Sequence, residues 1–338
     1  MTIPSLAELQ SAAVPFALPL RVPFRGLEVR EGMLIKGPSG WGEFAPFDDY
    51  DDLRAGRWLA AAIEAAWGTW PTSLREWIAV NAIIPAVESD RAGALTREAI
   101  LEFGCTTIKV KLGGSLADDE ARVVAVRDAL DSTGVAGAIR LDANAAWTLE
   151  QAVAALRRLK SYGIEYVEQP CSALEDVTRV RAEVDVPVAV DEVIRMAAEP
   201  DTIRLAGRAD YAICKPMTLG GAHATLRVAE SVGVPVVVSG SLDTGVGLST
   251  SLAAAAALPD LPLASGLGTG ALFAADLTDP PIRPSDGGIE VRRYAPNLEA
   301  MLAATDAVSE QRADHWRTRL SGAYASYVRS TEVPNMEG

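Results

Sequence analysis

The amino-acid sequence predicts a (β/α)8 barrel preceded by a small α+β module. From about residue 80, short runs rich in β-branched residues alternate with alanine-rich amphipathic stretches. The runs start a few tens of residues apart, which leaves room for one strand, one helix and two short loops per unit. The first 75 or so residues differ, since they are typical of antiparallel strands joined by turns and followed by a helix.

Eight short runs are the predicted barrel strands. They cover residues 78–84, 106–112, 138–142, 166–169, 186–191, 211–215, 234–239 and 263–267. The helical pattern is strongest at 118–130, 149–161 and 222–232, where apolar residues recur at spacings of three and four. Gly163 and Gly233 follow the last two stretches, as expected just beyond a helix C-terminus.

The two ends of the chain are predicted to lie outside the barrel. At the N-terminus, residues 16–20, 26–36 and 41–44 are predicted strands, and residues 53–68 a helix. The tail is rich in Pro and Gly after residue 280, and its helical pattern runs from about 297 to 327. We therefore expect a first module at 1–75, a barrel at 76–280, and a C-terminal segment at 281–338 that packs back on the first module.

Composition excludes several classes of protein. The formal charge is −14, from 31 basic and 45 acidic residues, so the basic surface of a nucleic-acid binder is missing. Three widely spaced cysteines without CxxC spacing, Cys105, Cys171 and Cys214, argue against disulfides or structural zinc. Two histidines, His223 and His315, leave oxygen ligands and a hard cation such as Mg2+ as the expected metal chemistry. The sequence shows neither a signal peptide nor a membrane span, which predicts a cytoplasmic protein.

Three carboxylates end consecutive predicted strands. Asp142, Glu168 and Asp191 should converge at the mouth of the barrel, where active sites of this fold lie. Three close carboxylates repel one another, and a divalent cation removes that penalty. Any one of them alone would more simply cap a strand or helix. The three together favour a metal site.

Lysines flank these carboxylates. Lys109 and Lys111 are two residues apart on one strand and so face the same side, and Lys215 comes from the opposite wall. Amines on both faces of a metal-bound carboxylate substrate could act at its α-carbon, and nearby positive charge lowers the pKa of a lysine that serves as a base. A Schiff base at Lys215 is the competing prediction, but it leaves the carboxylates unexplained.

Two glycine-containing segments are candidate binding sites for a substrate carboxylate. One is Ser239-Gly240-Ser241, at the end of the seventh strand, and the other includes Gly266 and Gly268, at the end of the eighth. Backbone N–H groups in such segments can bind an anion. Each segment could equally be a tight turn, and the sequence does not separate these alternatives.

Five motifs resemble the enolase superfamily, in its muconate-lactonizing subgroup. They are Lys-Val-Lys at 109–111, Leu-Asp-Ala-Asn-Ala-Ala-Trp at 141–147, Glu-Gln-Pro at 168–170, Asp-Glu at 191–192 and Cys-Lys-Pro at 214–216. Their order and spacing match over essentially the whole chain. The resemblance implies a (β/α)7β-type barrel with an α+β capping domain at its N-terminus. Residues 22–32, 40–47 and 265–273 are similar to an actinobacterial dehydratase group of that subgroup.

The resemblance also implies a reaction. Lys111 would remove the proton α to the carboxylate of 2-succinyl-6-hydroxy-2,4-cyclohexadiene-1-carboxylate and then protonate the departing hydroxyl. This syn dehydration would give 2-succinylbenzoate for menaquinone biosynthesis. Lys215 would stabilise the enediolate from the other face, and Lys109 would lower the pKa of Lys111.

The same resemblance implies a metal site. Asp142, Glu168 and Asp191 would hold Mg2+, for which Mn2+ can substitute, and Asn144 and Glu192 would orient these ligands. The only partner expected is a small-molecule carboxylate, with neither nucleic acid nor membrane.

Three alternatives accompany this interpretation. An N-acylamino-acid racemase would use Lys111 and Lys215 in the same way, and residue chemistry alone does not separate the two reactions. A dipeptide epimerase is disfavoured because the eighth strand, at Ser265-Gly266, offers no carboxylate. A non-enzymatic scaffold is disfavoured because the charged strand ends are all present. The capping loop near residues 19–26 is short, so we expect barrel loops such as 239–245 to help enclose the substrate.

Overall fold

A computed structural model describes residues 3–332, and its first module is a three-stranded antiparallel sheet packed on a helix. The strands are β1 (Ala13–Phe24), β2 (Leu27–Gly37) and β3 (Gly40–Phe44), and the helices are α1 (Leu6–Ala12) and α2 (Asp52–Trp67). Asp51 caps α2 by accepting from the amide of Arg54. Strand β3 approaches α2 so closely that a Cβ on Gly42 would lie 2.1 Å from the carbonyl oxygen of Ala62. Glycine at this position therefore lets the sheet seat on the helix.

The second module is a curled sheet of seven parallel strands in the order β11-β10-β9-β8-β7-β6-β5. The strands are β5 (Ala82–Ile84), β6 (Thr107–Lys111), β7 (Ala138–Asp142), β8 (Ile164–Glu168), β9 (Val188–Val190), β10 (Tyr211–Cys214) and β11 (Val236–Val238). Single bridges close the ring, Val80 with Ser265 and Ser239 with Gly266. The predicted eighth strand, 263–267, is thus reduced to two bridging residues.

The predicted first strand, 78–84, was wrong as a single element. It is divided into β4 (Trp77–Ala79) and β5, and β4 pairs antiparallel with β12 (Gly288–Glu290) outside the barrel. The backbone changes partners between the two: the amide of Val80 donates to Gly287, whereas the amide of Asn81 donates to Ser265. A continuous apolar run does not reveal such a change of partner.

The helices surround the barrel strands. They are α3 (Ser89–Leu101), α4 (Leu116–Ser132), α5 (Leu149–Leu159), α6 (Leu174–Glu183), α7 (Glu192–Arg195), α8 (Pro216–Leu219), α9 (Ala222–Val232) and α10 (Gly245–Ala257). The three strongest helical predictions correspond to α4, α5 and α9. Helix α10 is buried along its whole length. Its N-terminus contacts Glu43 on β3 of the first module.

The C-terminal segment forms two helices, α11 (Leu298–Asp306) and α12 (Glu310–Glu332), rather than one. Helix α12 packs on α2, where a Cβ on Gly56 would lie 3.3 Å from the carbonyl oxygen of Ala323. The buried Trp316 meets Phe44 edge to face at 6.2 Å. The domain boundaries at 75 and 280 remain a proposal. Across residues 3–332, the helices are all too short or too polar to cross a membrane.

Arg140 fills the barrel beneath the site. Side chains two apart on a strand share a face, so Arg140 lies below Asp142 on β7. The buried guanidinium donates to the Asn81 side chain at 2.8 Å and to the Ala264 carbonyl at 2.7 Å. It also lies 4.9 Å from the centre of the Tyr166 ring. The interior is therefore packed, and the open end is left for the site.

Candidate active site

A buried lysine joins two of the strand-end carboxylates. Lys109 Nζ lies 2.6 Å from Glu168 Oε2 and 2.8 Å from Asp142 Oδ2. The register of β6, β7 and β8 pairs Asp142 with Glu168 and with Lys111, so Lys109 starts two residues lower on β6 and reaches up to the two carboxylates. Burial opposes the charge on Lys109, but Asp142 and Glu168 outweigh it and raise the lysine pKa well above its usual value. Lys109 is therefore a fixed positive charge.

Lys111 lies higher on the same strand, nearer the opening. Its Nζ donates to Asp142 Oδ2 at 2.6 Å and to Asn144 Oδ1 at 2.9 Å, and lies 5.6 Å from the centre of the Phe24 ring. Burial lowers the pKa of Lys111, and the charges of Lys109 and Lys215 add to that effect. Two lysines on one strand thus have pKa values displaced in opposite directions.

Lys215 reaches the site from β10, across the barrel from β6. Its Nζ lies 2.5 Å from Asp191 Oδ2, and Arg195 Nε lies 3.1 and 3.2 Å from the two Asp191 oxygens. Although burial opposes it, these two cations lower the pKa of Asp191. Arg195 also donates to Glu192 Oε1 at 2.7 Å and to the hydroxyl of Tyr50. A residue of the first module thus contacts the centre through Arg195.

Glu168 has an unsatisfied oxygen. Its Oε1 is buried and has no hydrogen-bond partner among residues 3–332. Burial, and then repulsion from Asp142, raise the pKa of Glu168 to about 7. A divalent cation would satisfy this oxygen and relieve the repulsion, so the donor set fits a hard metal ion. Within the described residues, lysine ammonium groups lie between the carboxylates, and no three His, Cys, Asp or Glu side chains form a ready-made metal cage.

The lysines open into a cavity between the barrel mouth and the first module. Ser239, Gly240 and Ser241 line it, as do Asn144 and the three lysines. Gly266 and Gly268 are not in its wall. A Cβ on Gly266 would lie 2.5 Å from Ser239 Oγ, and one on Gly268 would lie 2.4 Å from the Asn81 carbonyl oxygen. Both glycines permit close packing, and their predicted role in carboxylate binding stays a prediction.

Several residues of the cavity were missed by sequence reasoning. They are Tyr50, Ile83, Arg195 and Thr218. Phe24 and Arg25 come from the short capping loop, Leu242 from the loop 239–245 that was predicted to help enclose the substrate, and Thr269 from the second glycine-containing segment. Arg195 had a local signal, because it follows Asp191 by four residues and so lies one helical turn away. Tyr50, Ile83 and Thr218 had no such signal. The hydroxyls of Ser241 and Thr269 are buried without a partner in the described part of the chain, which leaves them available to a ligand.

Comparison with known proteins identifies the family. The family model described as enolase C-terminal domain-like matches residues 91–296, and the enolase N-terminal domain-like model matches 15–66. The o-succinylbenzoate synthase of Thermobifida fusca is 45% identical over 94% of this chain and 98% of its own. The o-succinylbenzoate synthase of Mycolicibacterium smegmatis is 43% identical over 96% of this chain and 98% of its own.

Solved structures agree on the fold. The muconate lactonizing enzyme of Pseudomonas fluorescens has a TM-score of 0.71 at 20% identity, covering 86% of this chain and 97% of that one. The dipeptide epimerase of Enterococcus faecalis, complexed with Mg and a dipeptide, has a TM-score of 0.68 at 21% identity, covering 84% and 97%. The predicted barrel with an N-terminal α+β module is confirmed. The chain belongs to the enolase superfamily and, within it, to the family of the o-succinylbenzoate synthases.

Proposed function

We propose that this protein catalyses the syn dehydration of 2-succinyl-6-hydroxy-2,4-cyclohexadiene-1-carboxylate to 2-succinylbenzoate, a step of menaquinone biosynthesis. One observation carries the proposal beyond family membership. Lys111 on β6 and Lys215 after β10 line one cavity from opposite walls, with three carboxylates around them. This arrangement suits proton removal next to a carboxylate, because positive charge surrounds the site where the anion develops.

Asp142, Glu168 and Asp191 would hold the metal ion, which we assign as Mg2+ with Mn2+ as a substitute. The unsatisfied Oε1 of Glu168 supports this assignment. When bound, the ion supplies a Lewis acid that stabilises negative charge on the substrate carboxylate. Asn144 and Glu192 would orient the site, since Asn144 accepts from Lys111 at 2.9 Å and donates to Glu192 at 3.3 Å.

Lys111 is assigned as the base and then the acid. Its lowered pKa makes the neutral amine more accessible than in an ordinary lysine. The amine takes the α-proton, and the resulting ammonium group returns a proton to the hydroxyl that leaves from the same face. One C–H bond and one C–O bond break, one water forms, and the ring becomes aromatic.

Lys215 and Lys109 are assigned electrostatic roles. Lys215 approaches from the other wall and would stabilise the enediolate through its ammonium charge. Lys109 is buried beneath Lys111, and its charge both lowers the pKa of Lys111 and favours an anionic intermediate. The loop of Ser239, Gly240 and Ser241 would bind a substrate carboxylate. The available hydroxyl of Ser241, together with that of Thr269 close to Gly240, supports this role.

The direct test is to incubate the purified protein with Mg2+ and the cyclohexadiene substrate and follow the aromatic product by absorbance. We expect turnover that disappears when EDTA is added. If aromatisation is undetectable with Mg2+ present, the synthase assignment is wrong.

The second candidate is N-acylamino-acid racemisation, favoured by the same placement of Lys111 and Lys215 on opposite walls. Polarimetry with an N-succinyl amino acid, run in parallel with the dehydration assay, measures this rate. A kcat/KM for racemisation above that for dehydration would reverse our ranking of the two reactions.

A further inference from the structure

A carboxyl group of the first module lies at the N-terminus of a barrel helix. Glu43, on β3, is buried, and its Oε2 accepts from the amides of Thr244 and Gly247, both at 3.2 Å. The hydroxyl of Thr244 lies 2.5 Å from the same oxygen. These contacts satisfy amides at the start of α10 that have no partner within the helix, and a carboxyl group is favourable at this end of the helix dipole.

The sequence of α10 leaves space for this contact. A Cβ on Gly247 would lie 2.6 Å from Glu43 Oε2. A Cβ on Gly245 would lie 2.7 Å from Asp276 Oδ2, and that carboxylate accepts from the Gly245 amide at 2.9 Å through its other oxygen. The first turn of α10 is thus held by two carboxyl groups, and the one that comes from outside the barrel is Glu43.

A buried arginine of the first module holds the loop that leads into α10. Arg30, on β2, donates through Nε to the carbonyl of Leu242 at 3.0 Å, and through Nη2 to Ser241 at 3.5 Å and to Ala45. Leu242 has φ +60°, a left-handed conformation that costs free energy in a leucine and needs external support. The Phe47 ring, centred 4.4 Å from the guanidinium, covers Arg30.

The loop held in this way is a wall of the active-site cavity. Ser239, Gly240, Ser241 and Leu242 all line it. The Ser241 backbone is fixed at both ends, because its amide donates to Asp243 at 2.9 Å and its carbonyl accepts from Arg30. The Ser241 hydroxyl is left available to a ligand.

We propose that Arg30 and Glu43 are positioning residues for substrate binding, which hold residues 239–244 in the conformation that presents Ser241 to the cavity. They do so from a different module, so the position of that module on the barrel sets the shape of the substrate pocket. The choice of substrate in the kinetic test rests on the proposed dehydration, whereas the placement of the loop does not.

Two variants and two matched controls test the proposal. Arg30→Met and Glu43→Met remove the hydrogen bonds to the loop, because methionine keeps the approximate length of each side chain without its charged or carboxyl group. Arg312→Met and Glu31→Met are the controls, because Arg312, on α12, pairs with Glu31, on β2, at 2.5 Å, and neither side chain contacts residues 239–244. Hydrogen exchange of a peptide covering 239–247 is measured first, since it needs no activity. We expect exchange at least about tenfold faster in Arg30→Met and Glu43→Met, because buried hydrogen bonds to the loop are lost, and unchanged exchange in the controls.

Measurements of KM and kcat then distinguish a loss of loop positioning from a general loss of structure. In Arg30→Met and Glu43→Met we expect KM for the cyclohexadiene substrate to rise about tenfold while kcat stays within about threefold, because the loop binds the substrate without taking part in proton transfer. Unchanged exchange of 239–247 in both variants overturns the proposal, whatever the activity of the wild type. Faster exchange with unchanged KM also overturns it, as does an equal rise of KM in the controls. If a variant unfolds, Thr244→Ala, which removes the hydroxyl contact to Glu43, is judged by the same measurements.

Discussion

Two buried charged networks meet at the cavity, and they use charge differently. In the lysine–carboxylate centre, opposite charges contact each other directly: Lys109 lies between Asp142 and Glu168, and Lys215 lies against Asp191. At the seam, where the first module meets residues 239–247 of the barrel, Arg30 and Glu43 instead contact mainly backbone carbonyls and amides. The charges of the centre can therefore interact with a substrate and a metal ion, whereas the polar groups of the seam hold the backbone of a loop in place.

The difference should appear most strongly in catalysis. We expect Lys111→Ala and Lys215→Ala each to lower kcat for dehydration by about 10²- to 10⁴-fold, the usual contribution of a positioned acid–base group. Circular dichroism should show an intact fold in both variants. Lys160→Ala, at an exposed position, is the control and should match the wild type. Full activity in Lys111→Ala would contradict the assignment of the base and leave the centre without its main role.

Metal binding should depend on the centre alone. We expect Mg2+ at 100 times its dissociation constant to stabilise the wild type by about 2.7 kcal/mol, because it binds only the folded state. Asp191→Asn should remove most of this gain in thermal unfolding with and without EDTA, since it removes one ligand charge. Asp131→Asn, at an exposed carboxylate paired loosely with Arg127 at 3.8 Å, is the control. If Mg2+ stabilises Asp191→Asn as much as the wild type, the metal binds elsewhere.

The two networks also differ in how far the sequence predicts them. Asp142, Glu168, Asp191 and the lysines end strands in a regular βα repeat, and the barrel brings all strand ends to one rim. Their convergence could therefore be predicted without any knowledge of packing between modules.

Arg30 and Glu43 lie in an antiparallel sheet about 200 residues away in sequence from the loop they contact. Whether such residues face the barrel depends on how the first module packs against it. The periodicity of hydrophobic residues along the chain does not predict that packing. The division of residues 78–84 between two sheets was unpredictable for a similar reason, since it depends on the distant residues 265 and 287.

The seam should show its own pH dependence. Burial, and then repulsion from Asp243, raise the pKa of Glu43 from 4.5 to about 8, and the charge of Arg30 opposes this rise. Asp276 is a second carboxyl group at the same turn of α10, where it accepts from the amide of Gly245. Between these values the folded protein holds a proton that the unfolded chain has released, so stability falls as pH rises. The cost is at most about 1.4 kcal/mol per pH unit.

Glu43→Gln cannot titrate, so its free energy of unfolding should fall less than that of the wild type between pH 6.5 and 7.5. Urea unfolding of both proteins at the two pH values measures the difference. A gap between them that stays constant with pH would mean that Glu43 is ionised throughout the range, and that the hydrogen bonds from Thr244 and Gly247 outweigh its burial.

The smallest effect expected is at Arg25, where the first module contributes charge to the cavity rather than backbone support. Arg25 lines the cavity, stacks 4.4 Å from the centre of the Phe47 ring, and lies 3.7 Å from the exposed Asp49. Because the substrate carries two carboxylates, Arg25→Met should lower kcat/KM by about fivefold at low ionic strength, with a smaller loss in high salt. Arg21→Met, on the same hairpin but paired with Glu98 at 2.6 Å, is the control. A salt-independent loss, or an equal loss in Arg21→Met, would show that the first module acts on the substrate only through the loop that Arg30 and Glu43 hold.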